Sequence, residues 1–374
     1  MSSDTRDVVV VGAGIIGCLT AYLLAKGGLK VTLLEADSVG SHASGFAFGE
    51  MGAIDGAGLP DPLLEFSLWS LRRHEPLAKE LFEVSGVDNE YQARGRLKLA
   101  FNDEEARAYK KDLEWQSKVT ELGVEWLDSQ EVVKVEPLAN PECLGAVYLQ
   151  RAAMVEPYRH TLAAAQAAEK LGVESLLRRA TGLVVQGDRC LGVTFENGTI
   201  QAGMVVLAMG PWTQQAASWH GANIPVTPLK GQILRLQHST QRIRTSLHYS
   251  GSYVASKPDG LIWAGTTEEE VGFDEETTLQ ARDKIMGDLL KMAPSMADAE
   301  LVQQTACLRP LSGDGLPIVG KVPGWENLYV GTGAGRKGIL WSTGMCYGLA
   351  DLILTGRTEV PGVNHLDPAR FQRD

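Results

Sequence analysis

Apolar positions near the start of the chain form a solid block. Val8 to Val11 are an unbroken run, the pattern of a strand buried on both faces. The period then changes. After Gly12-x-Gly14-x-x-Gly17, Leu19, Leu23 and Leu24 fall at helical spacing, and Gly27-Gly28 closes the helix. A second strand, KVTLLE, ends on Glu35. Further along, GLVVQGDRCLGVTFENG reads as a β-meander with a hairpin turn at Asn197-Gly198, and Val205 to Ala208 as a strand running into Gly210-Pro211-Trp212. GRLKLAF, GQILRLQ, SYVASKP and GLIWAGTT are strand-like too, whereas 103–122 has the pattern of a charged amphipathic helix with a solvated face. ENLYVGTGAGRKGILWSTGM (326–345) reads as strand, glycine-rich turn and helix. Strand–helix–strand units of this kind predict an α/β chain.

Length and composition narrow the picture. The 374 residues leave room for two domains of about 150 residues each. With 44% hydrophobic and 22% charged residues, a large core is expected and disorder is not. A net charge of −11 argues against nucleic acid as a main partner. The five cysteines (Cys18, Cys143, Cys190, Cys307, Cys346) are scattered and form no CxxC pair, which predicts reduced thiols and a cytoplasmic protein. No basic segment followed by an apolar one marks a leader at the start, and no run of about 18 apolar residues predicts a membrane span. The most apolar segment, 339–354, is interrupted by Ser342, Gly344, Gly348 and Asp351, and its glycine spacing suits close helix packing. Asn197-Gly198-Thr199 matches a glycosylation sequon but reads as a turn. No HExxH, GxSxG, P-loop or metal-spaced set occurs, and none of the histidines is expected to hold a metal. His74-Glu75-Pro76 fails as a metalloprotease start because the proline is expected to break its helix.

The glycine triplet carries specific chemistry. Gly12 allows a tight turn, Gly14 lets amides approach a pyrophosphate, and Gly17 lets helix and strand pack closely. The helix N-terminus offers N–H groups and partial positive charge to phosphates, and Glu35 offers a carboxylate to ribose hydroxyls. This fingerprint predicts dinucleotide binding without separating NAD from FAD. GSHASGFAFGEMGA (40–53) is small and hydroxyl-bearing, suited to run along an extended ligand; Phe46, Phe48 and Met51 argue against a plain exposed linker. The second glycine-rich strand-to-helix junction, near the C-terminus, suits a ring system gripped far from the ADP end. Cys307 and Arg309 lie two apart in an extended run, so they face the same space, and Pro310 favours that geometry at Arg309.

On VVVVGAGIIG…LLE, ASGFAFGEMGA, MVEPYRHTLAAAQAAEKLGV, VVLAMGPWT, PLKGQILRL, YVASKPDGLIWAGTTEEEVGFD and LRPLSGDGLPIVGKVPGWENLYVGTGAGRKGIL, the sequence resembles FAD-dependent amine and amino-acid oxidoreductases. These include glycine oxidase, sarcosine oxidase and the D-amino-acid oxidases and dehydrogenases; the likeness is greatest to bacterial glycine oxidases. It implies a Rossmann-like FAD-binding domain (1–78, 150–215 and 305–374) and a discontinuous α+β substrate domain (79–149 and 216–304) built on a mixed, largely antiparallel sheet. By the resemblance, FAD contacts fall on Gly12, Gly14, Ile15, Ile16 and Gly17, on Glu35 and Ala36, and on His42, Ala43, Ser44, Ala47 and Gly49. They continue through Val184, Gly210, Trp212 and Cys307 to Gly335, Lys337, Gly338 and Ile339.

The resemblance also assigns substrate roles. Arg309 grips the substrate carboxylate and Tyr253 helps hold it. Arg336 either binds substrate or closes the flavin site. Cys307 is either a small buried thiol near the ring or, as in sarcosine oxidase-like relatives, the point of covalent attachment. Glu50, where relatives carry methionine, glutamine or asparagine, either meets a cationic group of the substrate or pairs with Lys337 or another base. His248 and Tyr249 read as structural. The implied reaction is oxidation of a small carboxylate-bearing amine (glycine, an N-substituted glycine or a D-amino acid) to its imine, with O₂ or an electron-transfer protein as acceptor. No side-chain base is required. A 2-hydroxy-acid dehydrogenase and a flavoprotein subunit of a larger electron-transfer assembly are the rival readings, and a homo-oligomer fits any of them.

Overall fold

A computed structural model describes residues 6–372; residues 1–5, which begin the segment scanned for a leader, and 373–374 lie outside the described residues. Two eight-stranded sheets carry the fold. In the first, the strands Glu174–Leu177, Val31–Glu35, Arg6–Val11, Gly198–Leu207 and Leu328–Thr332 run parallel in that spatial order. Ile318–Lys321 closes one edge antiparallel, and the meander Ala180–Gln186 and Arg189–Phe195 extends from Gly198–Leu207. The unbroken apolar run has a direct cause. Val8 and Val10 enter the core beneath the helices, while Val9 and Val11 enter a separate core on the opposite face. Both faces of this strand are covered, so alternation would leave a polar group stranded.

Helices Ile15–Lys26, Pro157–Lys170, Leu64–Ser85 and Gly338–Thr355 pack together over that sheet. A Cβ at Gly344 would lie 2.4 Å from Ser70 Oγ, so the glycine spacing serves close helix packing, as expected. Among the described residues no helix is long and apolar enough to cross a membrane.

The second sheet runs Glu300–Ser312, Val226–Gln237, Ile262–Gly265, Ser252–Ser256, Ser246–Tyr249, Arg96–Ala100, Gly145–Leu149, Val124–Asp128. Its neighbours are antiparallel except Ser246–Tyr249 with Arg96–Ala100, which are parallel. The architecture is therefore α/β, a Rossmann-like sheet beside a mixed, largely antiparallel one. One face of the second sheet packs Leu97, Leu99, Leu247 and Val254 against helix Leu279–Met292. The other presents Ile233, Tyr253 and Trp263 toward Phe48 of the small-residue loop. Alternation along each strand thus sends one set of side chains into a helix-covered core and the other toward the first domain. The division expected at 305 falls inside the strand Glu300–Ser312.

Two local expectations are corrected. The charged helix ends at Gln116, not 122; a short 3₁₀ turn, Thr120–Leu122, follows and is closed by Gly123 with a left-handed backbone. Helix Leu64–Ser85 also runs straight through Pro76. The lost hydrogen bond and ring clash cost about 3 kcal/mol. Burial of Phe66, Leu77 and Leu81 on one stripe of the helix, with Leu68 buried on another side, offsets that cost.

Candidate active site

A cavity of about 1170 Å³ lies between the two sheets. Small-molecule sites usually occupy roughly 300–1,000 Å³, so this one has room for a dinucleotide and a small second molecule. One end is the glycine turn. Gly12 has φ +104°, and a Cβ there would sit 2.4 Å from Ala208 O; a Cβ at Gly17 would sit 1.8 Å from Gly12 O. Only hydrogen fits either place. The helix that follows has no acidic residue in its first turn, so its positive end is not neutralised locally. Ser44 Oγ accepts the Ile15 N–H at 2.9 Å, tying the small-residue loop to that helix start. Glu35 is held at its strand end by the N–H groups of Ala13 (2.6 Å) and Asp37 (2.8 Å).

The far end is built on the second sheet. Register aligns Ile233, Gly265, Tyr253, His248 and Lys98 across five adjacent strands. Ile233, Tyr253, His248 and Lys98 line the cavity. Tyr253 is buried and stacks on Phe48 with ring centroids 3.9 Å apart. Burial raises its pKa against the pull of Arg309, so the hydroxyl keeps its proton and can donate. Cys307 and Arg309 line the cavity together, as their spacing predicts. Arg309 donates to Thr266 Oγ1 at 2.7 Å and to Thr267 O at 3.1 Å. Both acceptors are neutral, and among the described residues no carboxylate lies within ion-pair distance of this guanidinium. A Cβ at Gly231, on the neighbouring strand, would lie 2.0 Å from Arg309 Nη2. Gly231→Ala is therefore expected to displace the guanidinium and weaken acetate binding roughly tenfold, read by titration, with the fold intact. Arg336 donates to Gly251 O at 2.9 Å and pairs with Glu268 at 3.1 Å on the cavity wall. Burial raises the Cys307 thiol, partly offset by Arg309.

A charged cluster completes this end. His248 Nε2 lies 2.7 Å from Glu50 Oε2, and Arg96 Nη1 lies 4.0 Å from the same oxygen. Arg96 also pairs with Asp55 at 3.2 Å, and Lys337 with Asp55 at 2.7 Å. The base that meets Glu50 is thus His248, with Arg96 behind it; Lys337 goes to Asp55 and to Gly52 O. Arg96 is only 3% exposed. Burial alone would raise the Glu50 carboxyl, but His248, Arg96 and Ser246 outweigh it and hold it at about 2. Asp55 is likewise held well below the usual range by Arg96 and Lys337. Burial lowers His248 below the ordinary imidazole value, although Glu50 pulls it back up.

The cavity gathers almost all of the residues singled out in the sequence. Gly12, Gly14, Ile15, Ile16, Glu35 and Ala36 line one end, and Gly335, Arg336, Lys337, Gly338 and Ile339 the other. His42, Ala43, Ser44, Ala47, Gly49 and Glu50 run between them, with Gly210 and Trp212 opposite. Gly17 is not on the wall and acts in packing. Val184 is not brought there either; Arg178, Arg179 and Ala180 form the wall on that side. Wall residues that escaped sequence reasoning or were read as structural include Asp55, Arg96, Lys98, His248 and Tyr249. In GRLKLAF the alternation that puts Leu97 and Leu99 in the core puts Arg96 and Lys98 on the opposite face. Charge on one face of a strand usually means solvent, and here it means the cavity.

Residues 7–352 match the family model described as FAD dependent oxidoreductase. The chain is 30% identical to a glycine oxidase of Pseudomonas aeruginosa, with 98% of each chain covered. It is also 30% identical to the hydrogen cyanide synthase subunit HcnC of the same organism, covering 98% of this chain and 97% of that one. In shape it is similar to the crystal structure of glycine oxidase from Geobacillus kaustophilus: TM-score 0.93, 26% identity, 99% of this chain and 100% of that chain covered.

Proposed function

The chain belongs to the FAD-dependent oxidoreductase family of amino-acid oxidases, and from that premise we propose that it oxidises a small amine bearing a carboxylate to the imine, which water then hydrolyses. Glycine, an N-substituted glycine or a D-amino acid fits this description. The observation that carries the reading is Arg309, a guanidinium on the cavity wall that faces two neutral acceptors and, among the described residues, no carboxylate. A cation held there without a counter-ion suits an anionic ligand. The residues present also fit FAD: the two glycines leave a cradle any Cβ would fill, the helix start is free of acidic side chains, and Glu35 lies at the strand end. Bound FAD supplies the hydride acceptor.

The protein's own part is binding and orientation. The Arg309 fork takes the carboxylate, the Tyr253 hydroxyl donates beside it, and Arg336 closes the wall from its Glu268 anchor. The bound amine must lose its proton, because its lone pair pushes as the hydride leaves. In this reading 1–78, 150–215 and 305–374 hold the cofactor, 79–149 and 216–304 roof the substrate, and O₂ is the acceptor.

Anaerobic mixing with glycine, sarcosine, D-amino acids and 2-hydroxy acids tests it. The amines are expected to bleach the flavin and, under air, to release peroxide. Bleaching by hydroxy acids alone overturns the choice of substrate class. The likeness to HcnC favours one rival, a subunit of a larger assembly; turnover by the isolated chain sets that aside. We also propose noncovalent FAD, since burial keeps the Cys307 thiol protonated and weakly nucleophilic. Acid precipitation should leave the yellow colour in the supernatant; colour retained in the pellet reverses this.

A further inference from the structure

The carboxylate clamp leaves the Glu50–His248 pair without a task. Glu50 Oε2 stands 2.7 Å from His248 Nε2, and Ser246 Oγ stands 3.0 Å from the same nitrogen. A carboxylate that close, held ionised by Arg96, puts the ring proton on Nε2. Nδ1 is then the nitrogen with the lone pair. Among the described residues it makes no hydrogen bond and is not one of the sealed polar atoms, whereas Glu50 Oε1 is sealed and unpartnered. His248 shares its register row with Tyr253, with ring centroids 6.0 Å apart, on the wall that carries the clamp.

We propose that His248 Nδ1 accepts the ammonium proton of the bound substrate and that Glu50 is the positioning residue that fixes its tautomer. The assignment rests on the amine-oxidation reading above. The ammonium N–H bond breaks heterolytically: the proton goes to Nδ1 and the electron pair stays on nitrogen. The neutral amine is the form that bound FAD, as hydride acceptor, would oxidise, and the imidazolium returns its proton to water after the product leaves. The charged and titratable groups around the ring suit this task. Glu50 faces it from the short strand Glu50–Met51, Arg96 and Lys98 from Arg96–Ala100, and Tyr253 from Ser252–Ser256. Asp55 and Lys337 stand behind Arg96. With His248 neutral, Glu50 and Asp55 balance Arg96 and Lys337, and Arg96 disfavours protonation until an ammonium delivers the proton. Burial acts in the same direction.

The test uses the FAD-loaded full chain with His248→Asn and Glu50→Gln. Anaerobic flavin reduction by glycine and by sarcosine is followed from about pH 6 to about pH 10, beside acetate affinity and ¹⁵N NMR of the histidine rings. In His248→Asn the acid limb should move up by ~1–2 pH units, with a loss of roughly 10²-fold near neutral pH. Acetate affinity should stay within about twofold, because the Arg309 fork is untouched. NMR should find His248 protonated on Nε2 in the wild type and a mixture of tautomers in Glu50→Gln. If His248→Asn does not fold, the near-isosteric Glu50→Gln carries the same test through a smaller shift in the same direction. A rate loss equal at every pH, or a wild-type ring protonated on Nδ1, overturns the role of the pair alone. If neither amine nor any other in the panel reduces the wild-type flavin, the functional reading falls and this role falls with it.

Discussion

Arg309→Met is expected to weaken binding of acetate, a carboxylate without an amine, by roughly 10²- to 10³-fold while FAD stays bound. Two features make the effect large. The guanidinium sits on the wall of a cavity between two domains, where water screens charge poorly. Its neutral partners, Thr266 Oγ1 and Thr267 O, leave donors over for a second molecule. The change should be local. Thr266 Oγ1 still has Gln232 O at 3.1 Å, and methionine fills much of the arginine stem's space. Arg309→Lys keeps the charge but loses the planar fork, so a smaller loss of about tenfold is expected. Perturbation of the flavin spectrum on titration with acetate measures both. Unchanged affinity in Arg309→Met would place the carboxylate elsewhere.

Arg96→Met is expected to cost roughly 3–5 kcal/mol of stability, measured by urea unfolding with FAD in excess. Arg96 is the one cation within ion-pair distance of both Glu50 and Asp55 among the described residues. Its removal leaves the buried Glu50 carboxylate with His248 alone, while the half-exposed Asp55 keeps Lys337, and it is the weakened pairing of a buried charge that makes the loss large. The pH dependence has a definite sign. In the wild type Glu50 and Asp55 are both held below the ordinary carboxylate range by the basic groups around them. Their contribution is therefore complete above the ordinary carboxylate range and is lost as pH falls through the folded values. Without Arg96 both folded values rise, so the variant has less to lose. The gap between variant and wild type should narrow from about pH 7 to about pH 3. A gap that stays constant, or a loss under about 1 kcal/mol at neutral pH, would mean that the cluster is relaxed or hydrated.

Legibility in the sequence followed the reach of the interactions. The glycine turn was readable because its geometry is local: Gly12 meets Ala208 and Gly17 meets Gly12 in a strand–turn–helix unit whose period changes announce it. Cys307 and Arg309 were readable as a pair because extended chains repeat every two residues. The charged cluster was not. Glu50, Asp55, Arg96, His248 and Lys337 come from separate stretches, and they meet only because Lys98 pairs in register with His248 and the small-residue loop docks against that face. Nothing local distinguishes Arg96 from a strand residue facing water. The misread helix at Pro76 and the early end at Gln116 have the same origin, since tertiary burial decides where a helix stops. Val184 lies farther along its strand than Ala180, the residue of that strand on the cavity wall.

The division of labour along the cavity, nucleotide at the glycine turn and carboxylate at Arg309, is tested most directly by a crystal structure of the chain with FAD and acetate bound. The adenine half should lie on the Glu35 side and the acetate oxygens about 2.7–2.9 Å from the Arg309 fork, with the Tyr253 hydroxyl beside them. Acetate bound away from Arg309, or FAD running in the opposite direction through the cavity, would contradict it.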